Sequence, residues 1–127
     1  MKFHLATLAA ALLAAGSAQA AVLAPADLAG ANVIYVSGAS ALRLSVAAAV
    51  KEMCSSDFTV YFSKNTGGTT KDGDNHRAYA CTLAANVGNY PAGSKLVVYK
   101  RDAGGSSQGV NPVALAAPIK HLKIEAA

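Results

Sequence analysis

Three short stretches of the chain group apolar residues in the manner of β-strands, and one carries the spacing of an amphipathic helix. Val33 to Val36 is a β-branched and aromatic run fit for burial, Phe58-Thr-Val-Tyr-Phe62 alternates in part, and Leu96-Val-Val-Tyr-Lys100 again has strand character. Between the first two, Leu42, Val46, Ala49, Val50 and Met53 fall at i, i+4, i+7, i+8 and i+11 and share one helical face, leaving Arg43, Lys51 and Glu52 to reach water. Strand, helix and strand within about 30 residues make a βαβ unit, which predicts two parallel strands joined by a right-handed crossover. The expected fold is therefore α/β: a partial parallel or mixed sheet with flanking helices. The polar segments punctuate this pattern. Ser63 to Asn75, rich in Gly, Thr, Asn and Asp, reads as an exposed loop or hairpin tip, and Asn89 to Lys95 as a turn leading into the third strand.

The first residues follow a different rule. Lys2 supplies a positive end, Leu5 to Ala15 a short apolar run, and Ala18-Gln19-Ala20 a small-x-small cleavage pattern, so residues 1–20 are expected to be a secretory signal peptide cut after Ala20. That run is too short to span a bilayer, which needs roughly 20 apolar residues, and no later stretch approaches that length. Residues 21–127 are then expected to form a single small, exported, periplasmic or secreted domain. Without Lys2 the remainder carries 10 basic residues against 7 acidic ones, spread with no run of like charges. Such a mild balance describes a solvated surface and gives no footprint for nucleic acid.

Export also decides how the cysteines are read. Cys54 and Cys81 are the only two, and in an oxidising compartment an even count implies a disulfide. A metal site is the weaker reading, because the two lie far apart in sequence with no Cys-x-x-Cys and no paired histidines. Asp72 and Asp74 lack the ligand spacing and distal Glu of a calcium loop and read as part of a solvated turn. No cofactor is implied. His76 and His121 lie in or beside polar stretches and are expected to be solvated, while Tyr61, Tyr79 and Tyr99 fit core or sheet-face positions.

The candidate chemistry lies where strands give way to helices. Ser37-Gly38-Ala39-Ser40 follows the first strand; small residues let a ligand approach the backbone, Ser40 is placed to cap the helix, and the unpaired N–H groups of a first turn attract an anion. After Leu96 to Lys100 a second stretch repeats the chemistry, with Arg101, Gly104, Gly105, Ser106 and Ser107 at a helix start. In an open parallel α/β sheet ligands bind beyond the carboxyl ends of the strands, so both turns suit a small oxyanion if they converge in space. Arg101 is otherwise a surface charge.

"YVSGASA" and "VVYKRDAGGSSQGV" resemble two local motifs of the type 2 periplasmic solute-binding proteins, particularly the phosphate-binding branch. The resemblance covers the strand, Gly/Ala/Ser turn and helix at Ser37 to Ser40, and an Arg-x-Asp-Gly-Ser-Gly-Thr-like stretch at Arg101, Asp102 and Gly104 to Ser107. This chain departs from the second motif in its order Asp102-Ala103-Gly104-Gly105-Ser106-Ser107. The resemblance implies binding of a small anionic solute such as phosphate and an ABC-transporter membrane component as partner. Those proteins have two lobes and several hundred residues, so residues 21–127 are expected to correspond to half a lobe to one lobe, as an N-terminal fragment, a truncated reading frame or a degenerate relative.

Two other classes fit parts of the sequence. Gly38-Ala39-Ser40-Ala41 looks like a relaxed nucleophile elbow with Ser40 as nucleophile, His76 or His121 as base and Asp102 as orienter; the order Ser, Asp, His is met with His121. An α/β-hydrolase sheet needs more strands than this chain holds, so the reading here is non-enzymatic. A pilin-like or adhesin-like surface subunit agrees with the leader, the disulfide and the Gly/Thr/Asn-rich turns, whereas the amphipathic helix argues for a mixed α/β domain.

Overall fold

The computed structural model describes residues 21–62 and 75–125; the expected signal peptide and the calcium candidates Asp72 and Asp74 lie outside them. Four strands, β1 (Asn32–Ser37), β2 (Thr59–Phe62), β3 (His76–Thr82) and β4 (Lys95–Arg101), form one sheet in the order β1-β4-β3-β2. Two helices, α1 (Arg43–Met53) and α2 (Ser107–Ala114), flank it, and the fold is α/β with a mixed sheet. None of the helices among the described residues is long and apolar enough to cross a membrane.

The three expected strands are present within a residue or so of their expected bounds, but β3 was not among them. Its sequence, HRAYACT, places small Ala78 and Ala80 between larger residues, and its interior is buried on both faces, so neither alternation nor a β-branched run marks it. Its presence changes the topology. β1 and β2, expected to run parallel on either side of α1, do run in the same direction, with two strands between them. β1 pairs in parallel with β4, β4 antiparallel with β3, and β3 antiparallel with β2. A hairpin laid into the sheet supplies more pairing than the short β2 offers β1 directly.

Alternation along β4 divides the interior. Leu96 and Val98 face α1 and join Tyr79, Leu83 and Val50 in one cluster, with Val46, Ala47 and Met53 of the helix packed against it. Val97 faces the other way with Ala78, Ala80 and Leu23, covered by Leu28, Tyr61, Tyr99, Leu122 and Ile124. The expected helical stripe holds through Val46, Val50 and Met53 and fails at Leu42 and Ala49. Leu42 belongs to a 3-10 turn, Ser40–Leu42, and is exposed, as is Ala49. Met53 leads directly to Cys54, which is bonded to Cys81 near the end of β3, so the disulfide ties the end of α1 to an inner strand of the sheet. Closing that loop of about 28 residues restricts the unfolded chain by roughly 3–4 kcal/mol on the entropic account.

Candidate functional site

Parallel pairing of β1 with β4 brings the two Gly/Ser turns together. The strands run out in register, Ser37 beside Arg101, so both turns leave the same end of the sheet. Hydrogen bonds join them: the Gly38 N–H donates to the Arg101 carbonyl (3.1 Å), and the Ser37 hydroxyl donates to the Gln108 carbonyl (2.6 Å). Gly38 has φ +130°, a conformation open to glycine, and lies against Gly109 of α2. A Cβ on Gly109 would stand 3.1 Å from the Ser37 carbonyl oxygen, so the close approach of α2 to the end of β1 depends on that residue having no side chain.

Between the turns lies a carboxylate belonging to the chain itself. Asp102 is 1% exposed; one oxygen accepts from Lys100, also 1% exposed, and the other from the Arg43 Nε at 2.6 Å. Lys100 reaches further to the carbonyls of Gly38 (3.4 Å), Ala39 (3.5 Å) and Arg101 (3.3 Å), so its ammonium binds both turns at once. Burial of the three groups is tolerable because each charge meets an opposite charge and hydrogen bonds. This corrects the expected charge distribution. Arg43, placed by the helical pattern on a face open to water, is half-buried and bound to Asp102. Arg101, expected to be the cation of the site if the turns converged, faces away from Lys100: one terminal nitrogen donates to the Lys120 carbonyl (2.6 Å) and lies 3.4 Å from His76. Strand alternation decides both outcomes, because Lys100 and Asp102 share one face and Arg101 takes the other. The spacing Lys-x-Asp at the end of a strand was the sequence signal for this buried pair.

What remains open at the turns is a set of donors. Among the described residues, the amides of Ala39, Ser40, Gly104, Ser106 and Ser107 have no acceptor, whereas Leu42, Gly105, Gln108 and Gly109 donate to Ala39, Asp102, Gly105 and Ser106 within the turns. Ser40 was expected to cap a helix by its side chain. It is instead the first residue of the 3-10 turn, makes no capping bond and leaves its hydroxyl exposed. Ser106 precedes α2 without a side-chain cap, and the Ser107 hydroxyl donates to the Gly104 carbonyl (2.9 Å).

The histidines are not solvated as expected. His121 is half-buried against the ring of Tyr35 (4.6 Å between centroids) and close to Tyr99, because the C-terminal segment folds back over the sheet and brings the ring with it. Burial, the Arg101 guanidinium and His76 together hold its pKa below the ordinary imidazole value. His76, at the start of β3, is lowered by burial and by Arg101, against an opposing pull from Asp102. Tyr79 is buried, and Tyr61 and Tyr99 are half-buried on the sheet. Both oxygens of Asp102 are bound to cations and the His121 ring lies tilted against Tyr35, and no hydrogen bond links Ser40, His121 and Asp102. Compared with protein-family models, curated proteins and solved structures, the chain gives no match.

Proposed function

We propose that the chain is an exported solute-binding protein, or a segment of one, of the type 2 periplasmic kind, taking a small oxyanion such as phosphate where β1 and β4 run out. The observation that carries the reading is the parallel register ending at Ser37 and Arg101, which sets two Gly/Ser turns side by side at the carboxyl ends of their strands. The binding groups are the free amides of Ala39, Ser40, Gly104, Ser106 and Ser107 and the exposed hydroxyls of Ser40 and Ser106. The ligand rests on these neutral donors, with Lys100 and Arg43 acting from below as a partly neutralised positive base. Ser37, Gly38 and Gly105 hold the two turns in shape, and Arg101 contributes only long-range charge. Neutral donors open to water bind weakly, so the expected dissociation constant is about millimolar. On this reading the solute is delivered to an ABC-transporter membrane component.

Titration of the labelled protein with inorganic phosphate, at ionic strength held constant with chloride, tests the reading by NMR. The amides of Gly38 to Ser40 and of Gly104 to Ser107 should shift together along one binding curve. If both sets stay still at tens of millimolar phosphate, the turns are helix starts and nothing more.

A further inference from the structure

β1 is the last strand of the sheet, and among the described residues nothing pairs with its outer side. The ladder shows which backbone groups that side presents. Gly38 donates to Arg101 of β4, and Asp102 donates its N–H to Asn75 on the far side of β4. In a parallel ladder alternate residues turn both polar groups to the same neighbour, so Asn32, Ile34 and Val36 are bonded to β4, and Val33, Tyr35 and Ser37 point theirs outward. The Ser37 carbonyl is covered by Gly109. Among the described residues, Val33 and Tyr35 are left with two N–H and two C=O groups that no strand pairs.

Along this edge runs a groove of about 770 Å³, lined by Tyr35, Val36, Gly109, Pro112, Val113 and His121 among others. Tyr35 and Val36 point to opposite faces of the sheet, so a cavity touching both lies beside the strand. Its walls are apolar and open: Tyr35 is 63% and Val113 83% exposed. β1 itself carries no charge and no proline, the usual devices that keep an edge from pairing. The chain beside the groove is basic: exposed Lys120 lies between the lining residues Ile119 and His121, Arg101 donates to its carbonyl, and among the described residues no carboxylate lines the groove.

We propose that the free edge of β1 docks an extended, acidic peptide segment of a partner protein by strand addition. Outward N–H and C=O groups at alternate residues are matched by another extended backbone, apolar side chains enter beside Pro112 and Val113, and flanking carboxylates answer Lys120 and Arg101. A second copy of the chain fits less well. It would offer Asn32–Ser37, which has no acidic residue, and each copy carries a net charge of +4.

The test uses two synthetic probes on the whole chain, acetyl-Asp-Val-Thr-Val-Asp-amide and its Lys-flanked counterpart. The Asp-flanked peptide should shift the amides of Val33 and Tyr35 and slow their hydrogen exchange, while Ile34 and Val36, already bonded to β4, change little. It should bind at least tenfold more tightly than the Lys-flanked peptide at low salt, with the gap narrowing in concentrated sodium chloride. Val33→Pro removes one outward N–H without taking a bond from the sheet and should abolish the response. Should that variant fail to fold, Lys120→Glu carries the test by narrowing or reversing the preference between the peptides. Silence at Val33 and Tyr35 with both peptides, or equal affinity for the two, overturns the proposal. So does sedimentation showing a dimer whose formation already protects the Val33 and Tyr35 amides. None of these outcomes depends on phosphate binding at the turns.

Discussion

Each end of the sheet is held by an aspartate, and the two are built on different physics. At the disulfide end, Asp57 accepts from the Thr82 hydroxyl (2.6 Å), the Thr82 amide (2.9 Å) and the Ser55 hydroxyl (3.2 Å), with Lys95 at 3.4 Å. At the turn end, Asp102 is sealed from water and meets Lys100 and Arg43. The first carboxylate rests chiefly on neutral donors near solvent beside a covalent tie; the second rests on two cations with no covalent help. Neutral hydrogen bonds near water fail one at a time, whereas a buried ion cluster fails as a unit. The same contrast divides the labour. The disulfide end uses its polar groups to bind the chain to itself, and the turn end leaves several amides unbonded.

The sharpest break in this contrast comes from removing Asp102. Asp102→Ala strands a buried ammonium against three carbonyls and should cost about 3–5 kcal/mol of unfolding free energy in denaturant titration. Adding Lys100→Met to Asp102→Leu should recover most of the loss, because an apolar pair of similar size needs no compensation. If Asp102→Ala costs no more than Asp57→Ala, the two ends are alike and the contrast is wrong.

The covalent tie ranks next. The parent protein purified under non-reducing conditions should have a mass two hydrogens below its reduced form. Replacing Cys54 and Cys81 together by Ser should lower stability by roughly 3–4 kcal/mol, since the bond restrains the unfolded chain. Asp102 is far from that loop closure in its effect, so the losses from Asp102→Ala and the double Ser variant should add. A larger combined loss would mean that the disulfide also positions the ion cluster.

Much of this was legible in the sequence, and the gaps have physical causes. Strand chemistry at Val33, Phe58 and Leu96 is strong because β-branched and aromatic residues cluster there, and an even count of two cysteines made Cys54 with Cys81 the simple pairing. β3 escaped notice because Ala78 and Ala80 carry little strand propensity and are buried by neighbours remote in sequence. That one omission left the strand order unread, since β3 together with β4 separates β2 from β1. The two turns were recognised as a pair, yet the cations that lie between them are Lys100 and Arg43, while Arg101 turns to the other face. A one-residue choice of sheet face inverts which cation points where, and local sequence does not fix that choice until the register is known.

Asp57 should matter less than either tie. Burial alone would raise its pKa, but the bonds from Thr82 and Ser55 and the charge of Lys95 outweigh it and hold the carboxyl below its ordinary value. A lowered folded pKa contributes stability that is complete above the unfolded value of about 3.9 and is lost as pH falls through the folded one. Asp57→Ala should therefore cost about 1.5–3 kcal/mol at neutral pH, the range for hydrogen bonds to a charged group. Measured well below pH 3, the difference between parent and variant should shrink.

The smallest effect sharpens the contrast by pH. His76 and His121 are held below the ordinary imidazole value, first by burial and next by the Arg101 guanidinium. Folding thus favours their neutral forms. That contribution is complete above the unfolded value of about 6.5 and is lost as pH falls toward the folded values, so the unfolding free energy should decline as pH falls below about 6.5, ahead of the loss from Asp57. Acid should then weaken the molecule in two steps, the histidines beside the end of β4 first and the Asp57 network later. His121→Phe keeps an aromatic ring against Tyr35 and removes a buried Nδ1 that has no hydrogen-bond partner. It should cost under about 1 kcal/mol at pH 7 and flatten the first step while leaving the second in place. A parent curve that is level from pH 7 to pH 5, or a His121→Phe curve parallel to the parent across that window, would show that the ring is indifferent to Arg101, and the acid response would then belong to the disulfide end alone.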